Sequence, residues 1–90
     1  MKILVVCGMG LGSSVLLKSN VDKVLEVLGV KAEVQAADMH SAKQIAHTAD
    51  IICTTPELVF QLESMPGKIV AIQHVFDLVE IRQKLVSALG

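Results

Sequence analysis

The apolar residues of this chain switch four times between short strand-like runs and helical spacing, and that alternation leaves few folds open to it. Lys2 to Cys7 is the first β-rich run. From Ser13 to Leu28, residues Leu17, Val21, Val24 and Leu28 recur on one face of a helix that Gly29 is placed to end. Lys31 to Ala36 alternates charge or amide with apolar residues, the pattern of a half-exposed edge strand. Ser41 and Gln44 form a capping-box pattern that starts a short helix carrying Ile45 and Ala46. Asp50 to Thr54 reads as a third strand. Thr55 is a candidate N-cap with Pro56 at the first helical position, which predicts a helix over Pro56 to Ser64. Pro66-Gly67 turns the chain into a fourth strand, Lys68 to Gln73. Asp77 and Glu80 suggest another capping box, followed by Leu78, Ile81, Leu85 and Leu89 on one side of a last helix.

Strand-then-helix units with short connections imply parallel strands, because each return crosses over through a helix. The expectation is a single α/β domain over residues 1–90: a three-layer sandwich with a four-stranded parallel sheet, order 2-1-3-4, and helices on both faces. Ligands of such sheets bind beyond the carboxyl ends of the strands, at the switch point of strand order. That places Cys7 at the binding edge, with Cys53-Thr54-Thr55 beside it.

Composition removes several function classes. Hydrophobic residues make up 52% of the chain, enough for one core without disulfide staples. No apolar stretch approaches the roughly 20 residues that span a bilayer, so no membrane insertion is expected. A net charge of -1, no Trp or Tyr and only Phe60 and Phe76 as aromatics argue against nucleic acid as a partner. The first residues lack a basic, apolar leader pattern, so Cys7 and Cys53 are expected to be thiols in a reducing cytoplasm.

The octet Cys7-Gly8-Met9-Gly10-Leu11-Gly12-Ser13-Ser14 carries the chemistry. A strand delivers a thiol, three glycines let backbone N–H groups approach a bound anion, and two hydroxyl residues open a helix whose dipole favours negative charge. The thiolate is the nucleophile, and a helix start amid N–H donors favours it. Other users of this turn fit less well. A Walker loop wants a Lys before the Ser or Thr, and the next Lys is Lys18. In the dinucleotide fingerprint Gly8 and Gly10 fit, but Ser13 holds the third glycine's place, and Asp38 would be the ribose acid of only half a site. A cysteine-dependent phosphatase wants an Arg about six residues past its nucleophile, to grip the transferring phosphoryl oxygens; the only Arg is Arg82, in the last helix. What remains is a loop that can hold a phosphoryl group with little help for hydrolysis, which suits a carrier.

At these residues the chain resembles the IIB components of the bacterial phosphoenolpyruvate-dependent sugar phosphotransferase system, and the octet is most similar to the ascorbate-type branch. The resemblance implies a phosphotransferase in which a IIA phosphohistidine protein donates to Cys7 and the phosphocysteine passes the group to a sugar-like substrate taken up by a membrane IIC partner. Gly8, Met9, Gly10, Leu11, Gly12, Ser13 and Ser14 would bind the phosphate; no metal or cofactor is implied, and the location is cytoplasmic. Two other readings stand beside it. One is a low-molecular-weight phosphatase or arsenate-reductase-like enzyme; the other is a thiol redox sensor with Cys53 resolving, although no C-x-x-C spacing favours it. Cys53 is otherwise expected to pack in the core. His40, His47 and His74 show no ligand spacing, and His74 stands at the end of the fourth strand. Asp38 is expected to be a loop acid. Met9 and Leu11, set between the glycines, are candidates for an apolar docking rim.

Overall fold

A computed structural model describes residues 1–7 and 11–90, with the surroundings of the side chains given for 1–7 and 14–90. Its strands are β1 (Lys2–Val6), β2 (Glu33–Ala37), β3 (Ile51–Thr54) and β4 (Lys68–Ala71). They form one sheet in the order β2-β1-β3-β4, and every neighbouring pair is parallel. The helices are α1 (Leu11–Leu28), α2 (Met39–Ile45), α3 (Val59–Leu62) and α4 (Leu78–Leu89), with 3₁₀ turns at Ala46–Thr48 and Pro56–Leu58. Fold class and strand order are as the sequence predicts.

The two-residue period of the strands divides the core between the faces of the sheet. Ile3, Val5, Ile51, Cys53 and Val70 meet Leu17, Val21, Val24 and Leu25 of α1 and Ile81 and Leu85 of α4. On the other face Leu4, Val6 and Ile52 pack against Ala42, Ala46 and Leu62. Edge strand β2 alternates exposed and half-buried residues over Glu33 to Ala36, as an edge pattern should.

Local chemistry sets the boundaries. Gly29, at φ 71°, ends α1 in a two-bond closure: its own N–H donates to the Glu26 carbonyl and the Val30 N–H to the Leu25 carbonyl. Gly67 is a close approach, since a Cβ there would lie 2.5 Å from the Ala49 carbonyl oxygen. Expected features differ at several places. The second helix begins at Met39 and not at Ser41, because the Asp38 carboxylate accepts the Ser41 N–H at 2.7 Å and makes Asp38 the N-cap; Ser41 lies inside the first turn. That bond holds the Asp38 carboxyl below its usual range. The third helix is a 3₁₀ turn joined to one α turn, stopping at Leu62. Finally, β4 ends at Ala71, short of Gln73, because the Gln73 N–H donates to the Glu80 carboxylate and not to a strand.

Candidate functional site

Cys7 follows β1 at the carboxyl edge of the sheet, 4% exposed and not in a disulfide. It opens onto a cavity of about 410 Å³ whose other walls, among the described residues, are Thr55 and Glu57, just after β3, and Gln73, His74, Val75 and Phe76, after β4. This is the edge at which the strand order 2-1-3-4 predicts a ligand site. A larger groove of about 560 Å³ between β4 and α4 shares none of the described lining residues with it, and both its lysines are engaged: Lys68 Nζ donates to the Ala88 carbonyl, Lys84 Nζ to the Ala71 carbonyl.

The wall after β4 is fixed from two helices. From α4, the Glu80 carboxylate accepts the N–H groups of Gln73 at 2.7 Å and His74 at 2.9 Å. The same carboxylate lies 3.3 Å from His74 Nδ1 and 2.7 Å from Lys84 Nζ. Burial pushes the Glu80 carboxyl up, but the Lys84 bond and the two backbone donors outweigh it and hold the group at about 2. From α1, the 6%-exposed Asn20 donates its Nδ2 to the Val75 carbonyl at 2.7 Å. Phe76 and the His74 ring are left exposed above this anchored segment. The wall is therefore set before any ligand arrives.

This corrects the reading of Asp77 and Glu80 as a reciprocal capping box. Asp77 does cap α4, with Oδ1 accepting from Val79 and Glu80 N–H groups. Glu80 does not reach back to the cap but turns to Gln73 and His74. Thr55 likewise precedes its 3₁₀ turn without a side-chain cap bond, and its hydroxyl donates to Glu57 Oε1 at 2.8 Å. The only grouping with metal-ligand character among the described residues is His74, Asp77 and Glu80, whose donor atoms lie within 4.8 Å of one another. Both carboxylates are occupied by backbone amides, so the group is accounted for as a capping network.

Of the residues singled out in the sequence, Cys7 stands on the cavity and Ser14 is buried in the first turns of α1. Gly8, Met9 and Gly10 lie outside the described residues, as do the side chains of Leu11 and Ser13 and the surroundings of Gly12, and with them the apolar rim expected of Met9 and Leu11. Cys53 is fully buried in the core, and burial pushes its thiol up to about 12. His40 and His47 are on α2 and the turn after it, apart from the cavity lining, whereas His74 is part of that lining. Asn20 and Glu80 were not legible as site residues; a polar residue on an otherwise apolar helix face was the one signal for Asn20. Thr54 Oγ1 is buried with no hydrogen-bond partner among the described residues, and its strand partner is Val6, the residue before Cys7.

The site is thus a thiol at the carboxyl edge of a parallel α/β sheet, followed in sequence by a glycine-rich stretch and a helix. Comparison with known proteins gives the family. The family model "PTS system, Lactose/Cellobiose specific IIB subunit" matches residues 2–86. The chain is 36% identical over 88 residues to the "Ascorbate-specific PTS system EIIB component" of Mycoplasma pneumoniae, covering 97% of this chain and 93% of that protein. Its fold matches the lactose-specific IIB component domain of the phosphoenolpyruvate:carbohydrate phosphotransferase system from Streptococcus pneumoniae, with a TM-score of 0.73 and 18% identity over 100% of this chain and 98% of that one. The chain belongs to the IIB subunit family of the sugar phosphotransferase system, and it is a phosphotransferase of that system. IIB components work with IIA and IIC partners, and among the described residues no helix is long and apolar enough to cross a membrane.

Proposed function

We propose that Cys7 is the residue that carries the phosphoryl group: it accepts it from a phosphohistidine of a IIA protein and passes it, as phosphocysteine, to an ascorbate-type substrate at a membrane IIC partner. The observation that carries this reading is the position of Cys7, buried at the carboxyl edge of the sheet, opening onto the cavity and standing in sequence just before the glycines that precede α1. In this reading the backbone of Gly8, Met9, Gly10, Leu11 and Gly12 and the hydroxyls of Ser13 and Ser14 hold the phosphoryl oxygens, and the start of α1 favours their charge. The absence of an Arg from this loop suits a carrier that must hold the group and resist its loss to water. The 36% identity to a protein named ascorbate-specific supports the substrate class, as does the glycine pattern of the loop. In this reading the protein works in the cytoplasm, between a IIA donor and the inner mouth of a transporter.

The test is a reconstituted relay of this protein, its phosphorylated IIA donor and membranes bearing the IIC partner, supplied in parallel with ascorbate, lactose and cellobiose. Phosphorylated ascorbate should form, and Cys7→Ser should abolish it. Product from lactose or cellobiose alone would overturn the substrate class, and steady hydrolysis of an aryl phosphate would point to the phosphatase reading.

A further inference from the structure

The cavity holds one ionisable ring that the family assignment does not use. His74 shares the cavity with Cys7, its side chain is 71% exposed, and its Nδ1 faces the Glu80 carboxylate at 3.3 Å. A carboxylate only accepts, so this contact selects the Nδ1–H form and leaves Nε2 as the nitrogen free to act. The loop that carries the ring is anchored. The backbone N–H groups of Gln73 and His74 donate to the same carboxylate, the Val75 carbonyl is held by Asn20, and the Asp77 N–H donates to the His74 carbonyl at 2.9 Å. Glu80 is in turn held by Lys84. Thiol and imidazole thus line one cavity, and the carboxylate orients the ring: these are the components that activate a nucleophile elsewhere.

We propose that His74 is a catalytic residue of the Cys7 phosphoryl transfer: its Nε2 takes the thiol proton and then, as imidazolium, faces the phosphoryl group on sulfur. This rests on the reading of Cys7 as the phosphoryl acceptor. In the uptake step the S–H proton moves to Nε2, the S–P bond forms and the N–P bond of the donor phosphohistidine breaks. The N–P electron pair stays on the donor ring, which takes one proton from solvent. The imidazolium then supplies, from the segment after β4, the positive charge that a phosphatase-type loop would take from an Arg. The charged and titratable groups around it are Glu80, Lys84 and Asp77 on or next to α4, Glu57 after β3 and Cys7 itself.

The experiment measures the rate at which phosphorylated IIA loads Cys7 in the full-length protein, in His74→Ala and in His74→Gln, together with the ¹⁵N resonances of the His74 ring before and after loading. General acid–base groups of this kind contribute about 10²–10⁴-fold. Loading should fall by at least about tenfold in both variants with an unchanged thermal midpoint, because the side chain is exposed, and the Nε2 resonance should move on loading. A rate within about twofold of the unaltered protein in His74→Ala, or a ring resonance indifferent to loading, overturns the role of His74 while leaving phosphocysteine intact. No adduct on Cys7 in the unaltered protein overturns both.

Discussion

Replacing Glu80 with Gln should lower stability in a way that fades in acid. The side chain is 13% exposed and serves two backbone donors and Lys84. Burial alone would raise its carboxyl, but the Lys84 bond and the Gln73 and His74 amides lower it from 4.5 to about 2. At about 1.36 kcal/mol per pKa unit, the whole displacement is worth ~3 kcal/mol. Solvent screens part of this, because the Lys84 and His74 side chains are 39% and 71% exposed, which leaves about 1–2 kcal/mol. The folded value lies below the unfolded one, so the contribution is complete above about pH 4.5 and disappears as pH falls towards 2. Urea unfolding of the two proteins at a series of pH values measures the gap directly. Glu80→Gln retains an oxygen for a backbone donor and deletes the charge, so the gap should be about 1–2 kcal/mol at pH 7, equivalent to a fall in thermal midpoint of about 4–8 °C per kcal/mol, and should shrink progressively below pH 4.5. A gap that stays constant down to pH 3 would mean that Glu80 acts through shape and packing, and no gap at pH 7 would refute the clamp.

Two other outcomes follow from single positions. Gly67→Ala should destabilise by about 1–3 kcal/mol in the same unfolding assay, since its Cβ would stand 2.5 Å from the Ala49 carbonyl oxygen and force the β3 and β4 ends apart. Cys53 should resist iodoacetamide in the native protein up to pH 9, as its fully buried thiol is pushed up to about 12, and should react at once in denaturant; mass analysis of the Cys7→Ser variant reads this.

The fold was legible because the two periodicities do not overlap. Leu17, Val21 and Val24 can be buried together only on a helix, and the run Ile3 to Val6 is buried on both sides, as a central parallel strand requires. Boundaries were less legible where side chains compete for backbone donors. Asp38 took the Ser41 N–H and began α2 two residues early, and Glu80 took the Gln73 N–H and ended β4 early. Capping motifs are written in local spacing, and nothing local in Asp77 to Glu80 says that the carboxylate reaches seven residues back to Gln73. Cys7 could be placed from the strand pattern alone. The wall from Gln73 to Phe76 and its anchor Asn20 could not, because Asn20 meets the Val75 carbonyl, and the wall meets Cys7 across the cavity, only once β4 and α1 are packed on the same sheet.

The central claim is that the phosphoryl group of this phosphotransferase resides on the Cys7 sulfur. Incubating the protein with its phosphorylated IIA donor and mapping the adduct by peptide mass spectrometry tests it most directly. One phosphoryl group on Cys7, absent from Cys7→Ser, is the predicted result; a group on His40, His47 or His74, or on Cys53, would contradict it.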